Sequence, residues 1–124
     1  MTLQPRGYFA AAYFAHQAAE KALKAACWHV TGEEPPWNHR LGDVAERICR
    51  RSGPVPAGID EALVRLDPLF QLSRYPSGDV EMPIPAELFG EPEALRAIEK
   101  AEEILRWVDE LLRRPPERKQ SKSL

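Results

Sequence analysis

His16 and Glu20 stand four residues apart in an alanine-rich stretch, so a helix would place both side chains on one face. A histidine beside a carboxylate can form an acid–base pair, because imidazole changes charge near neutrality. The same spacing also suits a polar pair that simply satisfies itself in a core, the commoner use of such residues in bundles. Lys24 lies one turn further on, so a plain helix-surface salt bridge with Glu20 is equally available.

Ser73-Arg74-Tyr75-Pro76 forms a second group. Three readings of Arg74 stand open: a solvated arginine at a helix C-terminus, the buried partner of Glu20, or a fork for a phosphate. Tyr75 is placed to pack or stack beside it. His39 follows Trp37-Asn38, where it can cap a helix or pack on Trp37, and His29 neighbours a helix end whose dipole favours an imidazolium. No histidine sits in an HExxH-type ligand motif, and the seven glycines are scattered at turns rather than gathered in a phosphate loop. Neither a metal nor a cofactor is expected.

These residues need helices to position them, and proline and glycine divide the chain into four helical segments. The first is predicted from about Pro5 to Thr31, ending at Gly32. Its seam of Phe9, Tyr13, His16, Glu20, Leu23, Cys27 and Val30 alternates steps of four and three, apolar at both ends and polar in the middle. A charge turned inward is costly unless something pairs with it. The second segment starts near Asn38-His39, with Asn38 as N-cap, and presents Leu41, Val44, Ala45 and Ile48 before Ser52-Gly53-Pro54. The third follows Pro56, carries Ile59, Leu63, Leu66, Leu69 and Phe70 inward, and ends before Tyr75-Pro76; Pro68 marks a kink or short break. The fourth opens at Glu91-Pro92-Glu93 and displays Leu95, Ile98, Ala101, Leu105, Val108 and Leu112. Between the third and fourth lies a loop, 77–91, holding four acids and no basic residue; loops of this length are usually functional or mobile. The expected fold is all-α, an antiparallel up-and-down bundle of four main helices.

Composition sets the outer limits. A chain of 124 residues with 44% hydrophobic content can build one core, expected over residues 1–112. Net charge is −2, which argues against a generally basic nucleic-acid binder. Residues 113–122 carry five basic side chains against Glu117, a local +4 that leaves −6 for the rest; this tail, 113–124, reads as disordered. Cys27 and Cys49 share no ligand spacing and read as reduced thiols, which with the lack of a secretory signal implies a cytoplasmic protein. No apolar run is long enough to span a bilayer, so no membrane partner is expected.

Three pieces taken in order resemble a known family. They are Phe14-Ala15-His16-Gln17-Ala18-Ala19-Glu20-Lys21-Ala22-Leu23-Lys24-Ala25, then His39-Arg40-Leu41, then Ser73-Arg74-Tyr75-Pro76 with a helix after it. Together, over roughly 8–112, they resemble the HEPN domain, a small helical module of prokaryotes often encoded beside a minimal nucleotidyltransferase. The resemblance implies a bundle that dimerises and binds nucleotides or RNA. Many members are metal-independent ribonucleases or toxins paired with a nucleotidyltransferase antitoxin. Ribonuclease members carry an arginine followed four to six residues later by a histidine, whereas here Gly78, Asp79 and Val80 occupy those positions after Arg74. A catalytic site, if present, would have to combine Arg74 with His16 or His39. Members also have a helix before the block at 8–30, for which residues 1–6 leave little room. An apolar stripe of the first helix, with Phe9, Tyr13 and the alanine flank, is then expected to meet another chain. Three functions follow: a regulatory nucleotide- or RNA-binding dimer acting with a nucleotidyltransferase, an endoribonuclease toxin, or a purely structural adaptor subunit.

Overall fold

A computed structural model of the chain describes residues 5–36, 38–69 and 90–115. Four helices form: α1 Pro5–Thr31, α2 Leu41–Ser52, α3 Ile59–Leu66 and α4 Glu91–Arg113. The fold is an all-α bundle, with no strand among the described residues. Leu23, Leu41, Ile48, Leu66, Ile104 and Leu111 are fully buried at its centre. Each large aliphatic side chain of this kind contributes about 1.5–3 kcal/mol by leaving water.

The polar-centred seam of α1 is where the spacing placed it, with His16, Glu20, Leu23, Cys27 and Val30 all buried. Ala12, Ala15, Ala19 and Ala26 join them in the core. Their small side chains let neighbouring backbones approach closely. Gly32 ends the helix with φ 72°, its N–H donating to the Trp28 carbonyl at 2.8 Å. That left-handed turn suits glycine because it carries no Cβ.

Directions follow from the contacts at the helix ends. Gly58 at the start of α3 lies beside Glu103 of α4 and Glu61 meets Lys100, and the start of α2 meets Asp67 just after α3, so α2, α3 and α4 alternate up and down. Their order matches the expected one. At α1 it differs: the His29 ring lies 2.7 Å from the Arg114 carbonyl oxygen, so the C-terminal ends of α1 and α4 meet and these two helices run the same way. After α1 the chain brings His39 back beside Glu20 before α2 begins.

Three further expectations are corrected. Asn38 is not the N-cap of α2. That position is Arg40, and the Asn38 side chain accepts from the Arg40 N–H and donates to Asp43. In the first helix, Phe9 and Tyr13 pack against the core rather than forming an open stripe, and Phe14 stands out at 62% exposure. In α4 the inward face is Ala94, Ala97, Ala101, Ile104, Trp107, Val108 and Leu111, while Leu95, Ile98, Leu105 and Leu112 are exposed. The helix carries two apolar stripes, and alanine with tryptophan fills the inner one.

Past Leu66 the chain tightens into a 3₁₀ turn over 67–69, where Pro68 cannot donate the next helical bond. Phe70, the acidic loop (apart from Gly90 and Glu91) and the tail beyond Pro115 lie outside the described residues.

Candidate functional site: a polar centre between the first helix and the start of the second

Glu20 is the hub. Its residue is 8% exposed, and one carboxylate oxygen, Oε2, receives two bonds. Lys24 Nζ donates to it at 2.9 Å from the next turn of α1. His39 Nδ1 lies 3.0 Å from the same oxygen, reaching in from the connection that precedes α2. The two partners sit further out than their acceptor, with 31% of the Lys24 side chain and 58% of the His39 side chain exposed. The centre is therefore a buried carboxylate closed on its outer side by two cationic or potentially cationic groups.

His16 lies beneath. Its Nδ1 is 3.8 Å from Glu20 Oε1, too long for a hydrogen bond, so the two are near neighbours rather than a closed dyad. Burial pulls the imidazole below its ordinary value of 6.5, outweighing the opposing pull of the Glu20 and Asp67 carboxylates and of the His39 backbone. The ring is held neutral. For Glu20, burial pushes the carboxyl up, but the bonds from Lys24 and His39 overcome it and leave the group below 4.5. It is ionised at neutral pH.

Asp67 completes the arrangement from the far end of α3. Its carboxylate accepts the backbone N–H groups of Leu41 and, at 3.4 Å, Gly42. An anion there satisfies first-turn donors of α2 and sits at the positive end of the helix dipole. Composition and periodicity gave no sign of this residue, because a cap supplied from 26 positions away leaves no local pattern. His39, named from the sequence as a cap or a Trp37 neighbour, is instead a partner of Glu20.

The structure thus brings together Glu20, Lys24 and His39, with His16 behind them. Arg74 and Tyr75 lie outside the described residues, and so does any pairing of Arg74 with Glu20. Among the described residues no group of three His, Cys, Asp or Glu side chains could hold a metal ion. Burial raises both Cys27 and Cys49 above the ordinary thiol value, so each stays protonated. Among the described residues no helix is long and apolar enough to cross a membrane.

A small all-α bundle organised around a buried carboxylate is the class that fold and site define. The profile of the HEPN domain family matches residues 3–111, and the chain belongs to that family. Membership supports a nucleotide- or RNA-related module. No curated protein and no solved structure matches the chain.

Proposed function

We propose that this chain is a regulatory HEPN module: a dimer that binds a nucleotide or RNA and acts with a minimal nucleotidyltransferase in a toxin–antitoxin-like pair. The observation that carries this reading is the closure of Glu20 by Lys24 and His39. Such a centre fixes where α2 begins and leaves its carboxylate committed to structure. The missing histidine after Arg74 points the same way. In this reading Arg74 contacts a phosphate and Tyr75 packs or stacks beside it. This reading expects a minimal nucleotidyltransferase encoded beside the chain, and co-expression of the two should give a co-purifying complex. Titration calorimetry should then show nucleotide or RNA binding that weakens on Arg74→Ala. A protein that sediments as a strict monomer and binds neither nucleotide nor partner would overturn the reading.

One observation favours the endoribonuclease alternative. His39 is well exposed, and a buried carboxylate holds its Nδ1, the arrangement that orients an imidazole for proton transfer through its other nitrogen. His16, fully buried, is the poorer choice for that task. In this alternative His39 takes the proton from the ribose 2′-hydroxyl as that oxygen attacks phosphorus; a 2′,3′-cyclic phosphate forms, the bond to the 5′-oxygen breaks, and the departing 5′-oxygen takes a proton from water. Arg74 balances the charge. Cleavage of RNA in EDTA, lost on both His39→Gln and Arg74→Ala, would establish the alternative; inactivity of clean protein on varied RNAs would remove it.

A further inference from the structure

His39 differs from the other two histidines in what surrounds its ring. His16 is fully buried, and the His29 ring meets the Arg114 carbonyl oxygen through Nε2. His39 has 58% of its side chain exposed, while its Nδ1 lies 3.0 Å from the Glu20 carboxylate. Glu20 is ionised at neutral pH, and an ionised carboxylate only accepts. The proton of this bond therefore sits on Nδ1, and Nε2 carries a lone pair. A carboxylate behind Nδ1 fixes that tautomer and stabilises positive charge on the ring as Nε2 forms a bond. This is how an imidazole is made a nucleophile.

The groups around the ring favour an electrophile that carries negative charge. Lys24 Nζ donates to the same Glu20 oxygen at 2.9 Å, so an ammonium flanks the imidazole. Arg40 follows directly, exposed, with no ion pair among the described residues. Helix α2 begins at Leu41 and turns the positive end of its dipole this way. The acids at this corner are already committed. Glu20 is closed by Lys24 and His39, Asp67 accepts the Leu41 and Gly42 N–H groups, and Asp43 accepts from the Asn38 side chain at 3.0 Å.

We infer that His39 Nε2, backed by Glu20, is a phosphoryl-acceptor site, loaded by a small donor of the acyl-phosphate or phosphoramidate class. The Nε2 lone pair attacks phosphorus and an N–P bond forms. The bond from phosphorus to the leaving group breaks, and its electron pair departs on the carboxylate of an acyl phosphate or on the ammonia of phosphoramidate. No proton is transferred: Nδ1 keeps its own, and Glu20 balances the positive charge left on the ring. The phosphoryl group then lies beside Lys24 and Arg40 at the start of α2, where an anion is favoured. It also occupies the nitrogen that the ribonuclease alternative needs as its base. The inference does not depend on Arg74.

Phosphoramidate, added to the full chain at neutral pH, is the probe. Phosphorus NMR distinguishes the Nε2 from the Nδ1 product, and mass spectrometry in alkali, where phosphohistidine survives, locates the residue. His39 should be modified at Nε2, at least about tenfold faster than in the chain unfolded in urea. Preferential modification of His29, a rate no faster than in the unfolded chain, or an Nδ1 product at His39 would each overturn the inference, and none of these outcomes requires a variant. Glu20 is the positioning residue, and Glu20→Gln tests it. Its amide no longer holds the proton on Nδ1, so the reaction should slow by about tenfold and the Nδ1 product should appear beside the Nε2 product. Circular dichroism confirms that the variant folds. A purely structural role for Glu20 would leave the choice of nitrogen unchanged, and that result in the folded variant overturns the carboxylate-backed site.

Discussion

The two flanks of α1 are held by opposite means. Toward α2 the helix presents His16, Glu20 and Lys24, and the contact is made by a buried charge with two partners. On the other flank it presents Ala15, Ala22 and Ala26, small side chains in or against the core that allow the close approach of α4, which packs along α1. The polar flank gives direction, because the bond of His39 to Glu20 fixes where α2 begins against α1. The alanine flank gives proximity with little specificity. A bundle can tolerate a soft contact on one side of a helix when the other side is fixed by a directional one.

The largest expected effect falls on the ridge that both flanks share. Leu23 is fully buried between them, so Leu23→Ala should cost about 2–5 kcal/mol in urea unfolding. Glu20→Gln comes next. It removes two charge-assisted bonds, but Lys24 and His39 reach water, so the loss should be about 2 kcal/mol rather than the larger figure for a sealed pair. A loss below about 0.5 kcal/mol, the range of ordinary surface changes, would mean the polar flank does not hold the connection. Asp67→Ala should cost about 1 kcal/mol, the usual value of a helix cap, and should speed amide exchange at Leu41. Leu105→Glu should change monomer stability by less than about 0.5 kcal/mol, because that side chain is exposed.

Acid should act chiefly on the polar flank, since the other carboxyl held low, Glu61 beside Lys100, is exposed. His16 titrates below 6.5 in the folded chain, so the unfolded chain takes its proton first as pH falls. Stability from this group is complete above 6.5 and is lost as pH drops through the folded value. Glu20 behaves alike, with its contribution present above 4.5 and lost as pH falls through its lower folded value. Unfolding midpoints measured against pH should therefore decline in two stages, and His16→Gln should remove the first.

How much of this could be read from the sequence differed between the flanks. The polar seam of α1 was plain because its four-and-three spacing is a local property of one helix. The ends of α1 and the opening of α4 were equally plain, fixed by Gly32 and by Glu91-Pro92-Glu93. The inner face of α4 was not, since leucine and isoleucine mark its outer stripe while Ala94, Ala97 and Ala101 lie inward. Periodicity alone cannot choose between two apolar stripes on one helix. The partners of Glu20 were half legible: Lys24 lies one turn away, but His39 is 19 residues distant and Asp67 acts across 26. Those contacts depend on the course of 32–40 and on the end of α3, which no local pattern encodes.

The central claim is that Glu20 and His39 work as one unit that ties the start of α2 to α1. A double-mutant cycle on Glu20→Gln and His39→Gln, followed by urea unfolding at neutral pH, tests it most directly. The double variant should be less destabilised than the sum of the two singles, by at least about 0.5 kcal/mol. Two singles that simply add would contradict the claim.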